Sequence, residues 1–265
     1  MDLQNAVLVA AHPDDEILWF SSIFDACKRV VVCYGASATA DESWDSGRAR
    51  LMDEYPIAKV EFLKVRQSGG FDSADWYRPE EAESGLRLHG RGATAYENNA
   101  EHLLQILGSD LAQESVVITH NPWGEYGHEE HVQVFRVLQR LQKQIGFGLF
   151  VDGYVSDRSA ALMTQSLNLL QGAPVVRETD RALALKLKNL YIEYDCWTFY
   201  NDFEWPEFEL FYRVGEPDGR YVEASVSVPL NVINRSFYVS PIRKAAKRLL
   251  PRSVVSLLKK ALRRS

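Results

Sequence analysis

Two short runs of polar residues carry the side chain types that metal-dependent hydrolysis requires. His12-Pro13-Asp14-Asp15-Glu16 places one imidazole and three carboxylates directly after an apolar stretch. The second run extends from His120 to His131 and contains three histidines, of which His128 and His131 are three residues apart. Imidazole and carboxylate suit Zn²⁺, which in catalytic sites keeps one position for water. Water bound in this way has a pKa near ~7 and can attack at neutral pH.

Both polar runs follow predicted strands. Residues 6–11 and 115–119 are apolar runs typical of strands buried on both faces of a parallel sheet. Functional sites in such sheets lie beyond the carboxyl ends of the strands, so four of the six histidines are expected to meet there. A polar turn with an aspartate helix cap explains the first run taken alone, but it does not explain this convergence.

Strand and helix patterns alternate along the chain, and this predicts an α/β fold. We expect a three-layer, Rossmann-like, mostly parallel sheet with helices on both faces, followed by a C-terminal β-hairpin and a basic helical tail. The glycine fingerprint of a dinucleotide site is absent after the first strand. The predicted strands are 6–11, 29–34, 60–65, 115–119 and 147–155, and the hairpin pairs 208–214 with 221–228. The predicted helices are 15–27, 41–55, 96–107, 128–144 and 179–194, and 66–94 is predicted to be a long functional loop.

Taken together, His12-Pro13-Asp14-Asp15-Glu16 and Gly127-His128-x-x-His131 resemble the motifs of the PIG-L/LmbE family of zinc-dependent N-deacetylases. The resemblance covers roughly residues 5–214. It implies one Zn²⁺ per chain, or another divalent transition metal, held by His12, Asp15 and His131. It also implies Asp14 as the general base and His128 as an electrostatic stabiliser or acid.

Four further positions complete the candidate site. The resemblance implies that Tyr126 supports the tetrahedral intermediate, although packing explains this aromatic residue equally well. Arg48 and Arg50 lie in the helix where the family often places a basic residue that contacts substrate. Trp123 is a candidate for contact with the flat face of a sugar ring, and packing in the core or at the rim is the alternative. Glu129-Glu130 replaces the commoner Pro-Asp between the two histidines and is not expected to affect metal ligation.

The resemblance implies a hydrolase that removes an N-acetyl group from an N-acetylglucosamine-type sugar of a glycoconjugate. Lipid-linked substrates in envelope glycan or glycolipid biosynthesis are one interpretation. An amidase acting on a thiol, peptide or antibiotic conjugate is an alternative that the same site would serve. A non-catalytic sugar- or membrane-binding protein is a third.

The charges divide the chain into two predicted parts. The net charge is −6, yet the last 31 residues contain ten of the 30 basic residues and none of the 36 acidic ones. We therefore predict a deacetylase-like domain at 1–234 and a basic amphipathic tail at 235–265. A basic amphipathic helix suits an anionic membrane surface, and packing on the acidic body is the alternative. No nucleic acid partner is expected, because no recognisable nucleic-acid-binding fold accompanies the basic residues.

The remaining sequence features predict a cytoplasmic protein, with peripheral binding to the inner face of the membrane through the tail. The N-terminus has no signal-peptide pattern, and no apolar stretch approaches the ~20 residues that a membrane span needs. The three cysteines form no CxxC pair and fit a reducing compartment.

Overall fold

The computed structural model describes residues 1–37, 42–90, 92–215 and 228–237. Its centre is a seven-stranded sheet in the order β3-β2-β1-β6-β7-β10-β9, in which only β10 runs antiparallel to its neighbours. The strands of the described residues are β1 (Ala6–Ala10), β2 (Arg29–Tyr34), β3 (Val60–Val65), β4 (Glu81–Ala82), β5 (Gly85–Leu86), β6 (Val116–Thr119), β7 (Gly148–Asp152), β8 (Tyr154–Val155), β9 (Leu170–Glu178), β10 (Phe208–Val214) and β11 (Asn231–Val232).

Helices cover both faces of this sheet. They are α1 (Asp15–Leu18), α2 (Ser21–Phe24), α3 (Glu42–Glu54), α4 (Ala93–Asp110), α5 (Glu129–Ile145), α6 (Ala160–Ser166) and α7 (Arg181–Glu193), with short 3-10 helices at Leu3–Asn5 and Leu167–Leu169. Alternate residues of β1 enter two separate cores: Leu8 packs with side chains of α1, α2, α3 and α7, and Val9 packs with those of α4 and α5. The predicted three-layer α/β fold with a mostly parallel sheet is confirmed.

Two elements of the structure differ from the sequence prediction. The helix predicted over 15–27 is two short helices, α1 and α2, and the Glu209 carboxylate accepts hydrogen bonds from the Ser22 amide (3.0 Å) and the Ser21 hydroxyl (2.9 Å) at the start of α2. The bond from the Ser22 amide satisfies one of the backbone amides that have no partner within the first turn of a helix. Strand β9 was not predicted, since it contains Gly172 and Pro174. It is the outermost strand of the sheet, and proline is tolerated at such an edge.

The predicted C-terminal hairpin does not describe how β10 pairs. Both edges of β10 are occupied, by β7 on one side and β9 on the other. Most of the second predicted hairpin strand, 221–227, lies outside the described residues, as does the tail from 238 onward. None of the helices in the described ranges is long and apolar enough to cross a bilayer.

The segment 228–237 packs on the body of the protein. Its strand β11 pairs with β8, and the Phe237 amide donates to the Asp157 carboxylate at 2.9 Å. Arg235 forms an ion pair with Asp202 and lies 4.2 Å from the centre of the Tyr200 ring. Arg235 and Phe237, which the sequence assigned to the tail, therefore contact the body, while the division into 1–234 and 235–265 remains a prediction.

Candidate metal centre

The carboxyl ends of β1 and β6 bring the two polar runs together. These strands are parallel neighbours, with Val9 opposite Thr119, so residues 11–16 and 120–131 leave the sheet side by side. The Ala11 amide donates to His120 Nε2 at 2.8 Å, which fixes one run against the other. The predicted convergence of four histidines is confirmed, because the rings of His12, His120, His128 and His131 form a continuous cluster.

Each of the three predicted ligands contributes one donor atom to a small triangle. His12 Nδ1 lies 3.1 Å from Asp15 Oδ2 and 3.1 Å from His131 Nε2, and the last two atoms are 3.2 Å apart. Tetrahedral zinc with nitrogen and oxygen ligands at about 2.0–2.1 Å sets neighbouring donors about 3.3 Å apart. The triangle of donors therefore fits a small divalent cation of tetrahedral preference.

The electrostatics of the site also favour a cation. The buried carboxyl groups of Asp15, Glu125 and Glu130 are anions next to the donor triangle, because neighbouring histidines outweigh the effect of burial and lower the pKa of each. Burial opposes a charged imidazole, yet Asp15 and Glu125 raise the pKa of His131 to about 10. Because buried anions require a compensating positive charge, a metal ion would replace the proton on this histidine.

Glu130 contacts the predicted ligand His12 directly, a contact that the sequence did not predict. Glu130 Oε2 lies 2.8 Å from His12 Nε2, and Oε1 accepts from the amide and the hydroxyl of Ser68, both at 2.7 Å. Burial alone would raise the pKa of Glu130, but the hydrogen bonds of His12 and Ser68 lower it. The ionised carboxylate holds the His12 proton on Nε2 and leaves the lone pair of Nδ1 facing the metal position.

Glu125 orients the ring of His131 in the way that Glu130 orients that of His12. Its carboxylate makes a short hydrogen bond with His131 Nδ1 and lies 3.2 Å from His120 Nδ1, so His131 Nε2 faces the other donors. His120 is close to Asp15 but is not a ligand in this arrangement, since its Nε2 accepts the Ala11 amide proton. His120 instead supports Glu125, and both residues are fully buried.

Asp14 lies beside the ligands in an unusual backbone conformation. Its φ is 100°, in the left-handed half of the map, and it is the residue that precedes α1. Thr198 donates its hydroxyl proton to Asp14 Oδ2 at 2.9 Å. Burial and the neighbouring Asp15 carboxylate raise the pKa of Asp14 to about 7. Proton transfer is most efficient when the pKa of the base lies near the working pH.

His128 precedes α5 and caps it. Its Nδ1 accepts the Glu130 amide proton at 3.1 Å, so in the neutral ring the proton resides on Nε2. Burial, His12 and His131 all lower the pKa of His128 far below its ordinary value. His128 is thus a neutral hydrogen-bond donor next to His12, whose ring centre is 4.5 Å away.

An aromatic cluster formed by three separate segments lies beside these histidines. The Tyr126 ring stands edge-on to His128 and His131, at 5.8 and 5.5 Å between ring centres. Phe199 and Phe237 contact the same tyrosine ring at 5.5 and 5.3 Å. Tyr126 therefore packs within an aromatic cluster beside the predicted site, and its support of a tetrahedral intermediate remains a prediction.

The three predicted substrate residues occupy different surroundings. Arg48 is buried and donates to the carbonyl oxygens of Gly35 (3.2 Å) and Pro13 (3.4 Å), so it supports the backbone next to Asp14. Arg50 is exposed and lies over the Tyr194 ring. Trp123 is fully buried and its indole donates to the Tyr154 carbonyl at 2.6 Å, a position that offers no open face to a sugar.

Several residues that complete the site were given no specific role by the sequence. His120, Glu125 and Glu130 lie within the second polar run, and their side chain types could have suggested supporting roles. Thr198 gives no such signal, because it meets Asp14 across 184 residues of chain. Ser68 likewise reaches Glu130 only through the conformation of the segment after β3.

Comparison with known proteins supplies structural neighbours alone. No protein-family model matches the chain, and no curated protein matches it in sequence. A zinc-inhibited form of the teicoplanin deacetylase Orf2 aligns with a TM-score of 0.52 at 13% identity, over 81% of this chain and 99% of that one. A deacetylase–teicoplanin complex of teicoplanin biosynthesis gives 0.48 at 12% identity, over 79% and 97%. The A40926 pseudoaglycone deacetylase Dbv21 gives 0.40 at 13% identity, over 73% and 82%.

The alignment with Orf2 establishes a likeness of fold. The chain has the Rossmann-like α/β fold of this deacetylase, which is the fold that the resemblance to the PIG-L/LmbE family predicted. At 13% identity the likeness extends no further than the fold, so the chemistry of this chain has to be argued from its own residues.

Proposed function

We propose that the protein is a metal-dependent hydrolase that removes an N-acetyl group from an amino sugar of a glycoconjugate. The observation that carries this proposal is the triangle of His12 Nδ1, Asp15 Oδ2 and His131 Nε2, with sides of 3.1 to 3.2 Å. Asp14, whose carboxylate has a pKa of about 7, is the next residue to one of these donors. Ligands and a general base in this proximity support hydrolysis better than binding alone.

The metal that fits these donors is Zn²⁺ or another divalent transition metal. When bound, it would lower the pKa of its water and polarise the carbonyl oxygen of the amide. The open fourth position of such a centre is what distinguishes catalytic from structural zinc. Glu130 and Glu125 hold one ring proton on His12 Nε2 and on His131 Nδ1, so His12 Nδ1 and His131 Nε2 are the nitrogens that would bind the metal once it displaces the second proton.

Asp14 accepts a proton from the attacking water as the new carbon–oxygen bond forms. Thr198 holds Asp14 Oδ2, which leaves Oδ1 for the water. His128 Nε2–H donates to the carbonyl oxygen as negative charge develops there, a contribution of the kind made by an oxyanion-hole donor. Asp14 then returns its proton to the amine nitrogen when the carbon–nitrogen bond breaks, so the products are acetate and the free amino sugar. His128 acts as the stabiliser and not as the acid in this scheme, because its ring is neutral.

The substrate class is argued from the aromatic surroundings and from the neighbours. The aromatic rings beside the candidate site suit contact with the flat faces of saccharides; they are Tyr126, Phe199 and Phe237. The structural neighbour Orf2 is a teicoplanin deacetylase, so a glycopeptide-linked amino sugar is a candidate substrate beside N-acetylglucosamine in lipid-linked form. An amidase acting on a thiol, peptide or antibiotic conjugate would use the same residues and remains the alternative.

Acetate release from a panel of N-acetylated substrates tests the proposal. The panel contains N-acetylglucosamine, its lipid-linked and glycopeptide-linked forms, and an N-acetylated peptide. We expect metal-loaded protein to release acetate from at least one saccharide and chelator-treated protein to release none. Release from the peptide alone would favour the amidase, and no release from any substrate by fully metal-loaded protein would contradict a deacetylase.

We further propose that the basic tail binds the anionic inner surface of the membrane and places the site near a lipid-linked substrate. Ten cations and no acid in 235–265 support an anionic partner. The described chain runs to Phe237, whose ring contacts Tyr126 at the rim of the candidate site. A surface bound by the residues that follow would therefore lie close to the substrate entrance, which suits a cytoplasmic, peripheral protein.

A further inference from the structure

Phe71 is an exposed aromatic residue in direct contact with the candidate site. Its side chain is 51% exposed, yet its ring centre lies 4.8 Å from that of His128. His128 is the residue that the proposed function places beside the scissile carbonyl. A group attached to that amide would therefore pass close to the open face of Phe71.

The segment that carries Phe71 is firmly held. Glu129 Oε1 accepts hydrogen bonds from the amides of Ser73 (3.0 Å) and Ala74 (3.1 Å) and from the indole of Trp76 (3.0 Å). Glu129 is fully buried at the start of α5, two residues before the ligand His131. One carboxylate thus ties the position of this segment to the helix that carries the metal ligand.

Arg158 holds the same segment from a second side. Its guanidinium lies 3.0 Å from the Asp72 carboxylate and 3.5 Å from Glu129, and it is almost completely buried. The guanidinium carbon is 5.2 Å from the centre of the Phe71 ring and 5.1 Å from that of Trp76, within the range of cation–π attraction. Phe71 is therefore fixed on one face by Arg158 and by the hydrogen-bonded backbone around it.

A fixed, exposed aromatic ring is well suited to bind ligand, since little conformational freedom is lost when it makes contact. We propose that Phe71 contacts the substrate and binds a flat ring attached to the amino sugar, which makes it a determinant of specificity for the proposed reaction. The ring has an apolar face and is either a second sugar or an aromatic group of the aglycone. This inference rests on the proposed function for the orientation of the substrate.

The test compares Phe71→Ala and Phe71→Tyr with wild type on three substrates. These are the methyl glycoside of N-acetylglucosamine, its phenyl glycoside, and N,N′-diacetylchitobiose, which carries a second sugar. Tyr77→Ala is the matched control, because Tyr77 is an aromatic residue of the same segment with 66% exposure. All variants are assayed with metal bound.

We expect Phe71→Ala to raise KM by about 2- to 10-fold for the phenyl glycoside or for the disaccharide, the range that stacked aromatic contacts provide. The substrate whose KM rises shows whether the bound ring is an aromatic group or a second sugar. KM for the methyl glycoside and kcat for all three should stay within about twofold of wild type, and Phe71→Tyr and Tyr77→Ala should match wild type throughout. Unchanged KM for both ring-bearing substrates would overturn the proposal, as would an equal fall of kcat on all three, which would mean that Phe71 acts only through His128.

A binding measurement keeps this test separate from that of the proposed function. Phenyl β-glucoside and cellobiose lack the amide, so their binding to metal-loaded protein, followed by ligand-observed NMR, does not depend on turnover. If wild type released no acetate, the deacetylase function would fail, and weaker binding of one of these glycosides to Phe71→Ala would still support the ring site. Equal binding to both proteins, or no binding to wild type, would overturn the ring site.

Discussion

The Glu130→Gln substitution should weaken metal binding without removing a ligand. In the wild type, Glu130 Oε2 accepts from His12 Nε2 at 2.8 Å while Oε1 accepts two hydrogen bonds from Ser68. Glutamine cannot satisfy both sides. If its oxygen faces Ser68, its amide NH₂ faces His12 Nε2, and the His12 proton must move to Nδ1, the atom that should bind the metal. If the amide is reversed, two donors face each other beside the Ser68 backbone.

The expected loss is about 10- to 100-fold in zinc affinity, the usual effect of removing a carboxylate that orients a ligating histidine. This corresponds to about 1.4–2.8 kcal/mol, similar to the contribution of a hydrogen bond to a charged group. The zinc dissociation constant would be measured by competition with a chromophoric chelator at fixed pH. Thermal unfolding of the metal-free proteins reports any general loss of stability.

Glu209→Gln is the matched control for this substitution. Glu209 is also a buried carboxylate, and it accepts hydrogen bonds from the Ser22 amide and the Ser21 hydroxyl. Among the described residues, no hydrogen bond or ion pair joins Glu209 to a histidine. We expect it to lower stability while the zinc dissociation constant stays within about twofold of wild type. A Glu130→Gln protein that bound zinc as tightly as wild type would refute the proposed role of Glu130 in preparing His12.

Other substitutions test the remaining assignments. Alanine at each predicted ligand should abolish zinc binding, and full zinc occupancy in all of these variants by elemental analysis would disprove the ligand set; the variants are His12→Ala, Asp15→Ala and His131→Ala. Asp14→Asn should keep the metal but slow acetate release by ~10²–10⁴, the usual effect of losing a general base, and wild-type turnover in metal-replete protein would exclude that role. His128→Ala should also retain zinc and lose about 10²–10³ in kcat, as for one oxyanion donor. Truncation after Val239 should abolish sedimentation with anionic liposomes at low salt and leave activity on a short saccharide nearly unchanged; equal sedimentation of both proteins would contradict membrane binding.

The sequence predicted those parts of the site that depend on strand ends. The apolar runs that form β1 and β6 predicted buried parallel strands, and the polar residues after them were therefore expected to meet at one edge of the sheet. This reasoning brought the two polar runs together, and the family resemblance implied His12, Asp15 and His131 as ligands within them. The structure places the donor atoms of these three residues within 3.2 Å of one another. Short-range pattern was sufficient here because each run is continuous in the chain.

Contacts between distant loops were not predictable in the same way. Thr198 reaches Asp14, and Ser68 reaches Glu130, only because loops of irregular conformation bring them there. No periodicity marks such residues, since their backbone follows neither a helix nor a strand pattern. Strand β9 was not predicted, because its glycine and proline suggest a loop. It also lies at the edge of the sheet and therefore lacks the continuous apolar pattern of a central strand.

The backbone of Asp14 restricts which amino acids the position can accept. At a φ of 100°, a side chain with a β-carbon is strained by roughly 1–3 kcal/mol, and glycine would relieve most of that strain. Glycine at this position would relieve the strain, but it would also remove the carboxylate that accepts the Thr198 hydroxyl proton. A carboxylate held in a strained conformation beside the predicted ligands is a pattern typical of active sites. The same reasoning makes asparagine the informative substitution there, because it tolerates this conformation better than glutamate or alanine and so isolates the effect of the charge.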